Sequence, residues 1–326
     1  MSAYRWVADQ PSTPSEMEWR GFDPAPPGPG EIQVEQAAVG VNMIDTYVIS
    51  GAYAIDPYPL TPGVEGAGTV TAVGEGIDEF TIGDRVGYGG PPLGAYATSR
   101  NMWPGYAVKI PDWLSFEDAA AIMIAGPTAQ MMVKRVYPVT SGTKVLVHAA
   151  AGSTGDSLVR WCAHLGAEVF GTVGSKDKAD RAQAAGCAHV INYREDNFAD
   201  RILDLTNGRG VDVVYDGIGK DTFEESIRSL TSIGMFVTFG QASGPLPPID
   251  LSTVPVTFSN FIARPSVFSF NAERETYLES MSDVFDVLEK GVLDATPGHI
   301  YPLKDAPTAL SDLMGRKTSG SIVYSV

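Results

Sequence analysis

The second half of the chain alternates short apolar runs with longer mixed stretches. The run at residues 145–150 (VLVHAA) is typical of a buried strand, and the stretch at residues 156–165 is typical of a helix. Strict repetition of this order predicts a parallel, doubly wound α/β sheet of the Rossmann type. We predict strands at residues 145–150, 168–173, 189–193, 211–216, 235–239 and 261–264, and helices at residues 156–165, 176–185, 197–206 and 222–230.

The first quarter of the chain has a different pattern. The segment at residues 24–30 (PAPPGPG) is a cluster of breaker residues, and the segment after it, residues 31–39, is predicted to form a strand. Residues 63–73 (GVEGAGTVTAV) alternate small and branched side chains, as in a tightly packed strand. This part therefore predicts a compact, barrel-like β-rich unit with many glycine turns.

The last sixty residues return to mixed elements. Asn271 is predicted to cap a long helix that ends near Lys290, because Glu273 and Glu275 would occupy its first turn. A final strand is predicted at residues 321–324. The chain ends are thus expected to form one domain, at residues 1–125 and 267–326, with a Rossmann domain inserted at residues 126–266.

The turn after the first Rossmann strand carries a glycine-rich motif. In the G-x-G-x-x-G frame it has Ala150, Gly152 and Gly155, so that alanine replaces the first glycine. Such a turn brings the backbone close to a pyrophosphate, and the following helix directs its N-terminal N–H groups at the phosphates. The context of strand, turn and helix predicts dinucleotide binding. Asp156 would repel a pyrophosphate if it pointed inward, so we expect it to face solvent or to act as a local cap.

The tip of the second Rossmann strand indicates which dinucleotide is bound. An NAD site usually has an acidic residue here, about 20 residues after the glycine motif, to hold the ribose 2′-hydroxyl. This strand instead ends in Gly174 and Ser175, and Lys176 and Lys178 follow. Small residues leave room for a 2′-phosphate, and a lysine can pair with it. NADPH is therefore the predicted cofactor, and a solvated turn around Asp177 is the alternative.

Composition excludes several classes of partner. The 326-residue chain has a net charge of −16, which disfavours binding to nucleic acid and to anionic membranes. The N-terminus lacks the pattern of a signal peptide, and no stretch has the length of a membrane span. Cys162 and Cys187 do not form a C-x-x-C pair, so a reducing cytoplasm is the expected location.

No metal site is predicted. Zinc dehydrogenases of similar layout use cysteine, histidine and acidic ligands, but both cysteines lie beyond residue 160. Val64 stands where the ligand histidine of a zinc enzyme is expected. The four histidines have no ligand spacing, and packing or surface roles are predicted for them: His148, His164, His189 and His299. Reduction of an activated acceptor needs no metal, because hydride passes directly from a nicotinamide.

Several segments together resemble the zinc-free quinone oxidoreductases, the zeta-crystallin-like branch of the medium-chain dehydrogenase/reductases. The resemblance extends from about residue 30 to residue 321 and rests on residues 40–51 (GVNMIDTYVISG), 83–86 (GDRV), 149–155 (AAAGSTG), 190–195 (VINYRE), 213–216 (VVYD), 263–266 (ARPS) and 301–306 (YPLKDA). It implies a GroES-like substrate domain, a Rossmann domain and a homodimer.

The resemblance also implies roles for individual residues. Asn42 and Tyr47 would lie beside the nicotinamide and the acceptor as catalytic residues, and Thr128 would contact the nicotinamide. The remaining cofactor contacts would come from Gly152, Ser153, Thr154, Gly155, Gly174, Ser175, Lys178, Tyr193, Phe239, Arg264 and Arg316. Structural alternatives stay open at this point: loop bonding for Asn42, core packing for Tyr47 and Tyr193, and surface positions for the two arginines.

The chain departs from the family pattern at several positions. Ser153 and Thr154 replace a Gly-Val pair in the turn, and residues 125–128 (AGPT) stand where Lys-Gly-Leu-Thr is common. Gly217 stands where a serine is frequent, and the loop at residues 88–103 has no explanation from the sequence. Because one of these departures falls near the nicotinamide, the acceptor preference stays open.

The predicted activity is reduction of a quinone by NADPH. Asn42 or Tyr47 would stabilise the negative charge on the acceptor oxygen, and the proton would come from water or Tyr47. One alternative is an NADPH-dependent reductase of alkenal, enone or enoyl-thioester double bonds. Another is a non-catalytic cofactor-binding or structural protein.

Overall fold

The computed structural model describes residues 3–53, 57–249 and 259–326, which divide into two compact units. The first unit comprises Met1–Ala125, Asn271–Ser282 and Ala295–Val326, and the second comprises Gly126–Phe270 and Asp283–Asp294. The predicted second boundary, between residues 266 and 267, falls four residues before the break in the structure. The segment Asp283–Asp294 belongs to the second unit although the sequence-based division assigned it to the first.

The first unit is built on β-structure. Strands β1 (Ala3–Val7) and β2 (Glu18–Phe22) form an antiparallel hairpin. A second sheet has seven strands in the order β14-β15-β3-β4-β5-β7, with β6 paired to β3. Its strands are β3 (Ile32–Val41), β4 (Glu65–Val73), β5 (Arg85–Gly89), β6 (Ser99–Met102), β7 (Ala107–Lys109), β14 (His299–Pro302) and β15 (Ile322–Ser325).

Short helices complete the first unit. They are α1 (Met43–Ile49), α2 (Phe116–Ile122) and α10 (Ala306–Met314), together with single 3₁₀ turns at Pro14–Glu16, Pro104–Tyr106 and Leu303–Asp305. The core of the unit lies against the sheet and includes Ile32, Val70, Val86, Tyr96 and Tyr324. Because β15, from the C-terminus, pairs with β3, both chain ends contribute to one sheet, as the sequence predicted.

The second unit contains a parallel sheet of six strands in the order β10-β9-β8-β11-β12-β13. These strands are β8 (Lys144–Val147), β9 (Glu168–Val173), β10 (His189–Asn192), β11 (Val211–Asp216), β12 (Leu230–Thr238) and β13 (Phe261–Ala263). Numbered from β8, the order is 3-2-1-4-5-6, which is that of a Rossmann fold. The predicted α/β class is confirmed.

Helices precede, connect and follow the strands of this sheet. They are α3 (Ala125–Gln130), a π-helical segment at Met131–Val136, α4 (Ser153–His164), α5 (Lys176–Ala184), α6 (Phe198–Leu205), α7 (Phe223–Arg228) and α8 (Val267–Phe270). Side chains from strands and helices, including Leu146, Phe170, Ile202, Val214 and Phe236, form a buried core. Helix α9 (Arg274–Glu289) is divided between the two units after Ser282.

Two local predictions need correction. The first Rossmann strand ends at Val147 and not at Ala150, because residues 148–152 form the turn itself. Helix α9 begins at Arg274, three residues after the predicted cap Asn271, and the carbonyl of Glu273 accepts the N–H of Tyr277. Among the described residues no helix is long and apolar enough to cross a membrane.

Candidate functional site: a dinucleotide turn and a buried carboxyl pair

The turn between β8 and α4 has the backbone form that the motif predicts. Ala149 adopts a φ of 51°, in the left-handed region, and its carbonyl accepts the N–H of Gly152 at 2.8 Å. Helix α4 starts at Ser153, and the first bond within it joins the Asp156 N–H to the Gly152 carbonyl at 2.8 Å. The N–H groups of the first turn therefore point out of the helix end, where an anion binds favourably. The left-handed position is Ala149, one residue before the alanine that the sequence frame had selected.

The two glycines of the turn have different steric environments. A Cβ on Gly155 would lie inside van der Waals contact of the Ala149 carbonyl oxygen and 2.9 Å from the Ala149 carbonyl carbon. A Cβ on Gly152 would meet only that oxygen, at 3.2 Å. Gly155 thus allows the helix to pack on the turn, whereas a side chain at Gly152 would make one tight contact with the turn and no overlap. This geometry fits a dinucleotide pyrophosphate at Gly152–Gly155, including Ser153 and Thr154.

Asp156 is where the sequence-based expectation was wrong. The residue is buried, and its carboxylate neither faces solvent nor caps the helix. Its two oxygens accept from the guanidinium Nε atoms of Arg160, at 2.6 Å, and Arg181, at 3.1 Å. Because two cations compensate the charge, this acid is compatible with an anion at the start of α4.

His148 is a residue of the turn whose contacts the sequence did not reveal. Its ring nitrogens lie 2.8 Å from the hydroxyl of Thr172 on β9 and 2.9 Å from the hydroxyl of Ser226 on α7. The ring also packs edge-on against Phe198. Burial lowers the pKa of His148. The neutral ring thus ties the turn to a neighbouring strand and to a helix, which is the packing role expected for it.

Three of the residues predicted to surround the 2′-phosphate come together at the tip of β9. Gly174 lies against the ring of Tyr193, and a Cβ at Gly174 would be 2.8 Å from the Tyr193 Cζ. The Tyr193 N–H donates to the carbonyl of Val173, and Ser175 is the N-cap residue of α5. Lys178 lies in the first turn of α5. The structure thus leaves the strand tip without an acidic side chain.

The other predicted residues of the second unit lie on separate elements. Thr128 is in α3, and Arg264 follows β13 directly. Phe239 follows β12, and its ring explains one departure from the family pattern, because a Cβ on Gly217 would lie 3.0 Å from the Phe239 Cε2. Arg316 belongs to the first unit, where it follows α10 with a φ of 57°.

The first unit contains the predicted catalytic Asn42. This residue joins β3 to α1, and its backbone N–H donates to the Asp45 carboxylate at 2.8 Å. Its side-chain Nδ2 donates to Glu65 Oε2 at 2.7 Å. Asn42 is therefore held at both its backbone and its amide by two buried carboxyl groups. Neither acid was among the site residues predicted from the sequence, although Glu65 directly follows Val64, where a zinc enzyme would have a ligand histidine.

Both carboxyl groups have shifted pKa values. Burial raises the pKa of Asp45 to about 7, against the opposing effect of hydrogen bonds from Asn42 and Tyr96. Burial raises the pKa of Glu65 to about 8, while the donors at Asn42 and Ile124 act in the opposite direction. Desolvation outweighs the hydrogen bonds at both sites. Among the described residues, no group of three or more histidines, cysteines or acids is placed to hold a metal ion.

Aromatic residues accompany the predicted catalytic Tyr47. The Tyr53 ring lies 5.1 Å from the Tyr47 ring, centroid to centroid, and the Tyr53 N–H donates to the Tyr47 carbonyl at 3.0 Å. Tyr53 is close to Tyr47 because α1 ends at Ile49 and the chain then turns back. Tyr53 was not among the site residues predicted from the sequence, although the sequence shows this second tyrosine only six residues after Tyr47.

The loop at residues 88–103 now has a structural explanation. Arg100 is buried, and its Nη2 donates to the carbonyls of Pro92 and Leu93 at 2.9 and 3.0 Å. Its guanidinium lies over the ring of Tyr88, 5.0 Å from the centroid. Arg100 therefore fastens the Gly-Gly-Pro-Pro segment from inside the sheet.

The chain also matches known protein families over most of its length. Residues 28–112 match the alcohol dehydrogenase GroES-like domain, and residues 154–283 match the zinc-binding dehydrogenase family. A quinone oxidoreductase of Salmonella typhimurium is 41% identical over 310 residues, which cover 94% of this chain and 95% of that protein. A 2-haloacrylate reductase of a Burkholderia species is 39% identical over 95% of both chains.

A solved structure agrees with these matches. The Escherichia coli quinone oxidoreductase, complexed with NADPH, superposes with a TM-score of 0.96 and 37% identity over 99% of this chain and 100% of that chain. Sequence and fold agree over nearly the entire length of these proteins. The chain therefore belongs to the quinone oxidoreductase branch of the medium-chain dehydrogenase/reductase superfamily.

Proposed function

We propose that this protein is an NADPH-dependent quinone oxidoreductase that passes a hydride directly to its acceptor without a metal. The observation that carries the proposal is the glycine turn of the second unit, with no side chain at Gly152 and Gly155 and a neighbouring strand tip that has no acidic residue. An acid there would exclude a 2′-phosphate. The NADPH complex of the Escherichia coli relative supports the same cofactor.

Each predicted site residue has a proposed task. The dinucleotide turn binds the pyrophosphate, and Gly174, Ser175, Lys178 and Tyr193 surround the 2′-phosphate. Thr128, Phe239, Arg264 and Arg316 complete the cofactor contacts. We assign the cofactor to the Rossmann domain, residues 126–266, and the acceptor to the domain formed by residues 1–125 and 267–326.

The acceptor side of the mechanism belongs to Asn42 and Tyr47. Bound NADPH supplies the hydride. Negative charge then develops on the acceptor oxygen, and a hydrogen bond from the Asn42 amide or the Tyr47 hydroxyl stabilises it. A proton from water or from Tyr47 completes the two-electron reduction to the hydroquinone.

The test is NADPH oxidation by the purified chain with an ortho-quinone as acceptor, with NADH as the comparison cofactor. Turnover that strongly prefers NADPH supports the proposal. A short enone is assayed in parallel because the related 2-haloacrylate reductase points to double-bond reduction as the second candidate function. Turnover with the enone alone would move the assignment to a double-bond reductase, and tight NADPH binding without any turnover would favour a non-catalytic role.

Lys178 provides a sharper test of cofactor choice. We expect Lys178→Ala to raise the KM for NADPH by roughly tenfold, since one charge-assisted bond to the phosphate is lost. The KM for NADH should stay within twofold, because NADH has no 2′-phosphate. Arg194→Ala, an exposed substitution beyond Tyr193, is the matched control for loss of a positive charge. An equal loss for both cofactors in Lys178→Ala would contradict the assignment.

Assembly and location are part of the same proposal. Strand β13 is the last strand of the parallel sheet, and two of its side chains, Phe261 and Ile262, are 56% and 43% exposed. An apolar edge strand is suited to pairing with a second copy, so we propose a homodimer through β13.

The proposed location is the cytoplasm, because Cys162 and Cys187 are buried free thiols. The other proposed partners are small molecules, namely the cofactor and the acceptor.

A further inference from the structure

Glu65 is a buried acid that contacts the proposed catalytic amide but has no task in the mechanism so far. It is the first residue of β4 and is 3% exposed. Its Oε2 accepts from Asn42 Nδ2 at 2.7 Å, and its Oε1 accepts from the backbone N–H of Ile124 at 2.6 Å. Two donors thus hold the carboxyl group in one orientation.

The chain leaves space for this carboxyl group. A Cβ on Gly40, in β3, would lie 2.7 Å from the Glu65 Cδ. The missing side chain at Gly40 therefore accommodates the acid beside Asn42. The contact is built from three separate elements: β3 supplies the space, β4 supplies the acid, and the segment between α2 and α3 supplies the backbone donor.

We propose that Glu65 is a positioning residue that determines which end of the Asn42 amide faces the acceptor. A side-chain amide has an NH₂ end and an oxygen end, and rotation by half a turn exchanges them. When Glu65 is ionised it accepts at both of its oxygens, so one hydrogen of the Asn42 Nδ2 points at Glu65. The second hydrogen of the same NH₂ group is then left to donate to the acceptor. This inference rests on the proposed role of Asn42 in acceptor reduction.

Glu65→Gln distinguishes this task from simple packing. The backbone N–H of Ile124 can only donate a hydrogen bond, so the glutamine must direct its oxygen towards Ile124 and its NH₂ group towards Asn42. The Asn42 amide then turns its oxygen to the glutamine, so that the amide oxygen replaces the N–H group that would donate to the acceptor. The substitution preserves the volume of the side chain at position 65 while it reverses the direction of the hydrogen bond between that side chain and the Asn42 amide.

The experiment is a double-mutant cycle on the purified full chain with NADPH and an ortho-quinone at pH 9, where Glu65, whose pKa burial raises to about 8, is ionised. We expect Glu65→Gln to lower kcat by roughly tenfold to hundredfold, the range for loss of a donor at a developing oxyanion. The KM for NADPH should change by less than about twofold, since the proposed contacts to the pyrophosphate and the 2′-phosphate are on other elements. Asn42→Ala should lower kcat similarly, and the double variant should be no slower than Asn42→Ala alone.

The controls separate positioning from general damage. Glu35→Gln removes an exposed carboxylate from β3 and should leave kcat and KM unchanged. Glu65→Asp keeps a carboxyl group, which only accepts when it is ionised, and should retain more activity than Glu65→Gln at the same pH. If Glu65→Gln fails to fold, Glu65→Asp takes its place in the cycle, and its effect should again vanish when Asn42 is already alanine.

Two results would overturn the inference while the proposed function stands. One is a wild-type enzyme that turns over quinone and a folded Glu65→Gln variant with the same kcat. The other is an additive loss of kcat in the double variant, which would mean that Glu65 acts independently of Asn42. A wild-type protein without activity on quinone or enone would overturn the proposed function, and with it this role for Glu65.

Discussion

We expect Gly155→Ala to destabilise the Rossmann unit and to abolish measurable NADPH binding. The added methyl group would overlap the carbonyl of Ala149, which belongs to the backbone of the turn and cannot rotate away. Either α4 moves off the turn or the turn changes shape. Overpacking of this kind typically costs about 1–3 kcal/mol. Displacement of the helix end also removes the N–H groups that face the pyrophosphate.

Gly152→Ala is the matched control, because it lies in the same turn but its Cβ would meet a single atom, at 3.2 Å, without the overlap found at Gly155. That contact is tight, so the Tm should fall by less than in Gly155→Ala. NADPH affinity should still fall, since the methyl group would occupy the space through which the backbone approaches the pyrophosphate. Thermal unfolding and NADPH titration by fluorescence measure the two effects separately. A Gly155→Ala variant with wild-type Tm and affinity would show that the helix does not depend on this contact.

We expect the protein to lose stability as pH rises from 5 to 8, through the carboxyl groups of Glu65 and Asp45. Burial raises the pKa of Glu65 to about 8 and that of Asp45 to about 7 in the folded state. Both acids ionise near pH 4 in an unfolded chain. The folded state therefore binds more protons at these two groups across this interval, so the contribution of Glu65 and Asp45 to stability is complete below pH 4 and is lost as pH rises through the folded values. For Glu65 alone the loss is on the order of 3 kcal/mol.

The measurement compares unfolding of the wild type and Glu65→Gln at pH 5, 6, 7 and 8. The stability of the wild type relative to the variant should decline steadily across this range, because glutamine does not titrate. Asp84→Asn is the control: a hydrogen bond from Lys109 lowers the pKa of Asp84, so its contribution is lost only below pH 4. Its difference from the wild type should stay constant between pH 5 and 8. A constant difference for Glu65→Gln would instead mean that Glu65 is ionised throughout.

The alternation of strands and helices was predictable because a buried parallel strand is apolar over its whole length. The structure places β9 and β11 at the predicted residues, Glu168–Val173 and Val211–Asp216. The strand before the glycine turn was less accurate, since its predicted end, Ala150, lies within the turn and is also buried. Apolar character alone does not distinguish a strand from a buried turn.

Charged residues were the hardest to place. Asp156 was expected to face solvent, yet it is buried with Arg160, one turn later in α4, and with Arg181, which is 25 residues away in α5. The i,i+4 partner was visible in the sequence, but the second partner depends on how the two helices pack. A carboxylate is buried when a cation is available to pair with it, and distant cations are known only from the tertiary structure.

Local sequence was sufficient for the alternation of strands and helices, the glycine turn and the strand tip without an acid. Each of these features is determined by residues that are close together along the chain. The environment of Asn42 was not predictable in this way. It requires Gly40 and Asn42 from β3 and its end, Glu65 from β4, and the backbone of Ile124 from a third segment, which meet only after the sheet has formed. Burial then raises the pKa of Glu65, an effect that depends on the atoms around the carboxyl group and not on its neighbours along the chain.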